Sequence, residues 1–426
     1  MWIEWTLRAA LTGRERNALK NRMRVMQAER ESAGCAVLRR GAALLLVLQF
    51  SAFGAGTIFA SSPQFARTEE EWAALRDNRM EYTEIQGLIQ EYNPTVQQNQ
   101  FSYRKFRKDY GSSRDDVASE YRRLADELLA DISYPDEGDA NYAAAMTAAL
   151  TSEMQAKNLQ KQADDTLEDA EIIRLNYESA EKALVQTAQN SMIAYYAGQY
   201  RTEADALSKQ LAELQLSVAE AQKAVGAGTE IQLLTAQQAV QNAEKTKISD
   251  SAARDATRQK LQVMLGWKAD SEAEIAPLPE LQLSRIDSMN PEADLERAKQ
   301  NNYTLRVNQK KLENAVGETD INTLKSTIAD NEARIAASLN AAYQTVLSAK
   351  SSYLYSVSNA ELSAQTAAQS AQRYQLGLLS RVEYETAELN AKQAELGRKQ
   401  AELTLFQAME AYDWAVRGLA GASAAS

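Results

Sequence analysis

The segment Val225-Gly-Ala-Gly-Thr-Glu-Ile-Gln-Leu-Leu-Thr-Ala236 returns 151 residues further on as Leu376-Gly-Leu-Leu-Ser-Arg-Val-Glu-Tyr-Glu-Thr-Ala387. Gly226 and Gly377, Thr235 and Thr386, and Ala236 and Ala387 are identical pairs; Thr229 and Ser380, and Ile231 and Val382, are similar. The match continues through Ala243/Ala394 and Glu244/Glu395. A glycine at this place supplies the left-handed backbone on which a helix stops. Thr229-x-x-Gln232 and Ser380-x-x-Glu383 then set a hydroxyl three residues ahead of a side-chain acceptor, which is how a new helix opens. Each copy is therefore expected to be a helical hairpin turning at its glycine. The long arms are expected at 141–224 and 324–374, and the returning arms at 230–266 and 381–418. At ~1.5 Å per residue the 141–224 arm would reach on the order of 125 Å. That length suits a coiled coil or a tunnel better than a globular core.

Upstream of the hairpins a second pair of segments matches. Asn93-Pro-Thr-Val-Gln-Gln-Asn-Gln100 resembles Asn302-Tyr-Thr-Leu-Arg-Val-Asn-Gln309, and the copies end in Leu265-Gly266 and Leu419-Ala-Gly421. The chain thus divides into a first repeat within 61–275, a linker at 276–290 containing Ala276-Pro-Leu-Pro-Glu280, and a second repeat at 291–426. Only 17 Gly and 6 Pro occur in 426 residues, too few turn residues for a sandwich or barrel of many short strands. Residues 136–276 and 292–426 contain no proline, so long helices are permitted. The predicted fold class is all-α, with long antiparallel helical hairpins in two tandem repeats.

The last arm carries two apolar stripes. Ala387, Ala394, Ala401, Ala408 and Ala415 recur at sevens, with Leu405, Tyr412 and Leu419 four residues after three of them. A seven-residue period winds helices into a left-handed supercoil, and alanine lets backbones approach closely. Leu389, Leu396 and Leu403 form a second stripe about 200° away. Two stripes require neighbours on two sides, as in a closed ring of helices.

Composition excludes most chemistry. The chain has no histidine, and its one cysteine, Cys35, precedes an apolar run, which removes His-based triads, most zinc sites and thiolate catalysis. The net charge of −11 disfavours nucleic-acid backbones. No catalytic, metal or cofactor site is expected. Asp164, Asp165, Glu168, Asp169 and Glu171 are expected to form a solvated helix face. Tyr195, Tyr196, Tyr200 and Trp414 are expected between helices.

Residues 1–40 hold nine Arg/Lys against four Glu, and Gly41–Ala60 is an apolar run followed by Ser61 and Ser62. A basic flank, an apolar stretch and small residues have the layout of an export signal cleaved after Ala60. The run is also long enough for an uncleaved membrane anchor, and Met23 or Met26 would serve as an alternative start. In every case the bulk of the chain is expected outside the cytoplasm.

The hairpin residues resemble the TolC-like outer membrane efflux protein family. Its pattern is Tyr-x-x-Gly-x-x-Ser, an acid six after the glycine, an alanine ten after it, and Ala/Leu heptads ending in Leu-Gly. Tyr374, Gly377, Ser380, Glu383, Ala387 and Leu419-Ala-Gly421 meet it in the second repeat. Gly226, Thr229, Ala236 and Leu265-Gly266 meet it in the first, where Lys223 and Gln232 replace the tyrosine and the acid. The resemblance implies a homotrimeric helical tunnel in the cell envelope, reaching the outer membrane. It implies docking to a membrane-fusion adaptor and service to an ABC or proton-driven inner-membrane pump. By the same match Val225, Gly226, Ala227, Gly228, Thr229, Leu376, Gly377, Leu378 and Ser380 form the adaptor-docking tip, and Tyr374 and Glu383 the entrance constriction. The family inserts a β-hairpin in each repeat. Here Val316-Gly-Glu-Thr-Asp-Ile-Asn322 is too short for two spanning strands, and the acidic stretch 107–150 does not alternate. The barrel strands are expected to be absent. A non-conducting extracytoplasmic scaffold of the same helices is the alternative function.

Overall fold

A computed structural model of the chain describes residues 67–421, all within a unit that begins at Ser62. The expected signal or anchor at 1–60, with Cys35, lies outside the described residues. Among the described residues nearly every element is a helix, and the only strands are β1 (Arg79–Met80) and β2 (Glu274–Ile275), paired in parallel with Arg79 opposite Glu274.

The first repeat comprises α1 (Glu69–Arg76), α2 (Ile85–Tyr92), α3 (Pro94–Tyr110), α4 (Arg114–Ala130), α5 (Tyr142–Asp165), α6 (Ala170–Ala224) and α7 (Glu230–Met264). After the linker and a single turn, α8 (Ser284–Asp287), the second contains α9 (Pro291–Asn301), α10 (Tyr303–Asn314), α11 (Glu318–Gln375) and α12 (Arg381–Trp414). A wide π turn, Ala415–Leu419, ends α12. Helix α6 pairs with α7 and α11 with α12 as two long hairpins, and α6 packs on α12. The result is a four-helix layer in the order α7, α6, α12, α11. Side-chain bonds from Trp414 to Gln189 and from Gln393 to Ser208 show α6 and α12 running antiparallel, so both hairpin turns project from one end.

The two stripes of α12 find their neighbours inside the same chain. Leu405, Ala408, Tyr412 and Ala415 are buried with Ile335, Leu339 and Val346 of α11. Leu403, Phe406 and Trp414 pack with Val185, Ala188 and Met192 of α6. The two-sided packing read from the sequence is present, but neither side needs a second copy. The faces left open belong to the flanking helices. Ile231, Leu234 and Ile248 of α7 and Leu354, Tyr355 and Leu362 of α11 are exposed.

The corners matched in sequence are equivalent in space. Asn93 caps α3, its Oδ1 accepting from the amides of Thr95 and Val96, while its Nδ2 donates to the Met264 carbonyl at 2.9 Å. Asn302 caps α10 through the Leu305 amide, and its Nδ2 donates to the carbonyls of Gly418 and Ala420 at 3.2 and 2.7 Å. Each asparagine therefore starts one helix and holds the end of the returning arm of its own repeat. The glycine beneath each clasp has positive φ, +90° at Gly266 and +117° at Gly418. A Cβ on Gly266 would overlap Tyr92, and one on Gly418 would overlap the Asn301 carbonyl. The counterpart of Gly266 is thus Gly418, not the Gly421 that the Leu-Gly pattern pointed to.

The single arm expected over 141–224 is broken. Thr166 to Asp169 are non-helical, with extended backbone at Thr166 and Asp169; α5 ends at Asp165 and α6 begins at Ala170. The break is held from outside: Arg114 donates to the carbonyls of Asp164 and Thr166, and Asn314 donates to Leu167 O and Asp169 Oδ2. The Ala170 amide meets Ser112 O. Asp169 is 3% exposed and caps α6 through the Ile172 amide, so it leaves the solvated acidic face to which the sequence assigned it. Its neighbours are ion-paired, Asp164 with Arg122, Glu168 with Lys311 and Glu171 with Arg174. The 55 residues of α6 span ~83 Å rather than the length expected of one continuous arm. In the first repeat the insertion is a helical hairpin, α4–α5, packed on itself. In the second, Ala315 to Gly317 connect α10 directly to α11.

Candidate functional site: the twin hairpin tips

The two turns share the bonds that stop the helix, and the first adds one more, from the Gly228 amide to Gln222 O at 3.0 Å. In the first, Gly226 (φ +74°) donates to Lys223 O and Ala227 to Gln222 O at 2.8 Å. In the second, Gly377 (φ +71°) donates to Tyr374 O and Leu378 to Arg373 O at 2.8 Å. This is a Schellman stop, in which the residue after the left-handed glycine reaches back to the last helical turn. The expected capping boxes then open the returning helices. Thr229 and Gln232 exchange bonds at the start of α7, and Ser380 and Glu383 do so at the start of α12.

The stop and the restart satisfy the backbone without any apolar contact, so the side chains between them are free to face water. Val225 is 79% exposed, Leu376 73% and Leu378 66%. Ile231 stands beside them, equally open. Exposed aliphatic residues gathered at two adjacent points are more informative than the same residues scattered singly.

The tips differ in their side-chain braces. Lys223 pairs with Glu230 across the first turn. In the second, Tyr374 stacks on Tyr384 with centroids 5.1 Å apart and planes 7° from parallel, and Arg381 pairs with Glu385. Sequence reading singled out Tyr374 but missed its partner; the signal available was a second tyrosine in the first turn of the returning helix, seven residues after Gly377. Glu383 Oε2 accepts from both the amide and the hydroxyl of Ser380, at 2.9 and 2.7 Å. Those two bonds, the hydroxyl first, hold its carboxyl below the usual carboxylate range, so it is anionic at neutral pH. Gln232 accepts from the Thr229 amide at 2.8 Å in the same position. Capping alone therefore does not require the charge of Glu383.

Further along the hairpins, Trp414 of α12 donates to Gln189 of α6, the inter-helix role expected of it, whereas the Tyr196 hydroxyl donates to the Ile275 carbonyl of strand β2. Among the described residues no group of acids could hold a metal ion, and no helix is long and apolar enough to cross a membrane.

No family model and no curated protein matches the chain. Among solved structures it is similar to the outer membrane protein VceC of Vibrio cholerae, at 11% identity and TM-score 0.46, over 79% of this chain and 96% of that one. It is similar to the CmeC outer membrane channel of Campylobacter jejuni, at 10% identity and TM-score 0.47, over 89% and 95%. A third likeness, to the outer-membrane channel OprN, has 13% identity and TM-score 0.46 over 88% and 98%.

Proposed function

We propose that the chain is the protomer of a TolC-like export duct of the cell envelope, a homotrimer that docks through its tips to a membrane-fusion adaptor. The duct serves an ABC or proton-driven inner-membrane pump. The observation that carries this reading is the four-helix layer with two unlike open flanks, α7 on one side and α11 on the other, both bearing exposed aliphatic residues. A two-fold contact would match each flank with itself and leave the other uncovered. Joining the α7 flank of one copy to the α11 flank of the next covers both, and such head-to-tail contacts close into rings. The two tips of each chain then crowd one mouth of the ring. Val225 to Thr229 and Leu376 to Ser380 present its aliphatic rim to the adaptor, and Tyr374 and Glu383 narrow its entrance.

The test is the mass of the full chain by light scattering, alone and with the adaptor, followed by electron microscopy of the particles. A trimeric ring with an open lumen is expected. A strict monomer under both conditions refutes the duct. A second reading, a non-conducting scaffold, is favoured by one observation: among the described residues the strands are two residues long, against the roughly ten that span an outer membrane. Rings that give no conductance in planar bilayers decide for the scaffold.

A further inference from the structure

The free end of the α4–α5 hairpin has a surface that its own packing does not explain. Between Leu124 and Ala156 the chain has seven Asp/Glu and no Lys or Arg. Asp131, Asp136, Glu137 and Asp139 are exposed, and none is in an ion pair among the described residues. Beside this acidic loop lies an apolar patch. The Tyr134 hydroxyl donates to Glu153 Oε2 at 3.2 Å, which lays its ring against α5 at the turn carrying Leu150 and Met154. Those two stand four residues apart on one helix face. Tyr134 is 55% exposed and Met154 61%. The hairpin does not need them for its own stability, because α5 buries a different stripe, Ala149, Ala156 and Ala163.

We propose that this end of the hairpin is a docking surface for a partner protein, which it engages through a Lys/Arg-rich segment carrying aliphatic side chains. Charge decides the occupant. A second copy joined about a two-fold axis would bring acidic loop against acidic loop, and anionic lipid or nucleic acid would be repelled in the same way. A cationic segment is drawn in by the loop and held by the patch, since complementary charge sets encounter and partner choice while desolvated apolar contact sets residence. The site lies on the insertion and is independent of the tips.

The experiment uses the full chain and a fluorescein-labelled amphipathic peptide of Lys and Leu, about 14 residues long, read by anisotropy and by hydrogen-exchange footprinting. Its controls are a Lys/Ser peptide of equal charge and a Glu/Leu peptide. Binding of the Lys/Leu peptide alone is expected, with protection centred on 131–154 and about tenfold weakening in 0.5 M salt. The triple variant Asp136→Asn, Glu137→Gln, Asp139→Asn and the double variant Leu150→Ser, Met154→Ser are each expected to weaken it about tenfold at constant salt. All five positions are surface-exposed or partly so, and circular dichroism checks that both variants keep the wild-type helix content. Equal affinity in either variant, protection elsewhere on the chain, or no binding overturns the proposal. So does a fall in sedimentation mass caused by the Leu150→Ser, Met154→Ser variant, which would assign the patch to a second copy.

Discussion

Replacing Gly418 by alanine tests the clasp that closes the second repeat. Gly418 has φ +117°, outside the left-handed well that alanine tolerates at modest cost, and strain there is about 1–3 kcal/mol. The added Cβ would also overlap the Asn301 carbonyl. That is backbone anchored by Asn302 on one side and by the end of α9 on the other, so it cannot swing aside. Forcing an atom into such a contact costs about 1–3 kcal/mol more, for a total of about 2–6 kcal/mol. Gly421 is the matched control. Its φ is +70° and the nearest atom to its Cβ would be Arg334 Cβ at 3.7 Å, leaving only the left-handed cost of about 1–2 kcal/mol. Urea unfolding followed by circular dichroism at the helix band reads both variants on one scale. With a slope on the order of 1–3 kcal/mol per molar, Gly418→Ala should lower the midpoint by a molar or more while Gly421→Ala moves it much less. If the two variants unfold within about 0.5 kcal/mol of each other, the corner is not held as described.

Glu383→Gln should leave the fold unchanged, because Gln232 already makes the equivalent cap, yet alter cation selectivity of the ring if Glu383 lines its entrance; identical conductance in the variant removes that role. Ile248→Asp or Leu354→Asp should abolish the oligomer with helix content intact, whereas a ring that survives both refutes the flank-to-flank contact. Burial, then the facing Asp250 carboxylate, raises the Asp205 pKa, with Arg201 opposing. The folded hairpin therefore holds its proton more tightly than the unfolded chain and loses stability as pH rises through that raised value. Asp205→Asn should raise the melting temperature more at pH 7 than at pH 4, and an equal shift at both pH values would contradict this assignment.

The tips were legible because every device that makes them is local. A glycine at the left-handed position and a hydroxyl three residues before an acceptor are both visible in a dozen letters, and Thr229, Gln232, Ser380 and Glu383 make the bonds their spacing promised. The break between α5 and α6 was not legible. No glycine or proline marks Thr166 to Asp169; the interruption is imposed by Arg114 and by Asn314, 145 residues away from Asp169. The choice between Gly418 and Gly421 failed for the same reason, since distant residues, Asn301 and Asn302, distinguish them. Periodicity showed that α12 has two packed sides but not which helices fill them, because a stripe records the need for a neighbour and not its address. At the tip, the pattern found Tyr374 and Glu383 as residues, while the roles of entrance and dock belong to an assembly that one chain does not contain.

The two asparagine clasps also determine how the molecule can bend. Each returning arm is fastened where it meets its clasp and runs unbroken to its turn, 35 residues in α7 and 34 in α12, or about 50 Å. A beam fixed at one end magnifies a small tilt at its root. A rotation of about 3° at the corner carries a tip roughly 3 Å sideways, within the small rigid-body adjustments by which hinged elements move. An aperture formed by such beams would widen or narrow by leverage, with no helix unwinding and no hydrogen bond broken along its length. The buried amide at each root, together with the packing of Leu405 on α11 and Phe406 on α6, would set how much force that takes in α12.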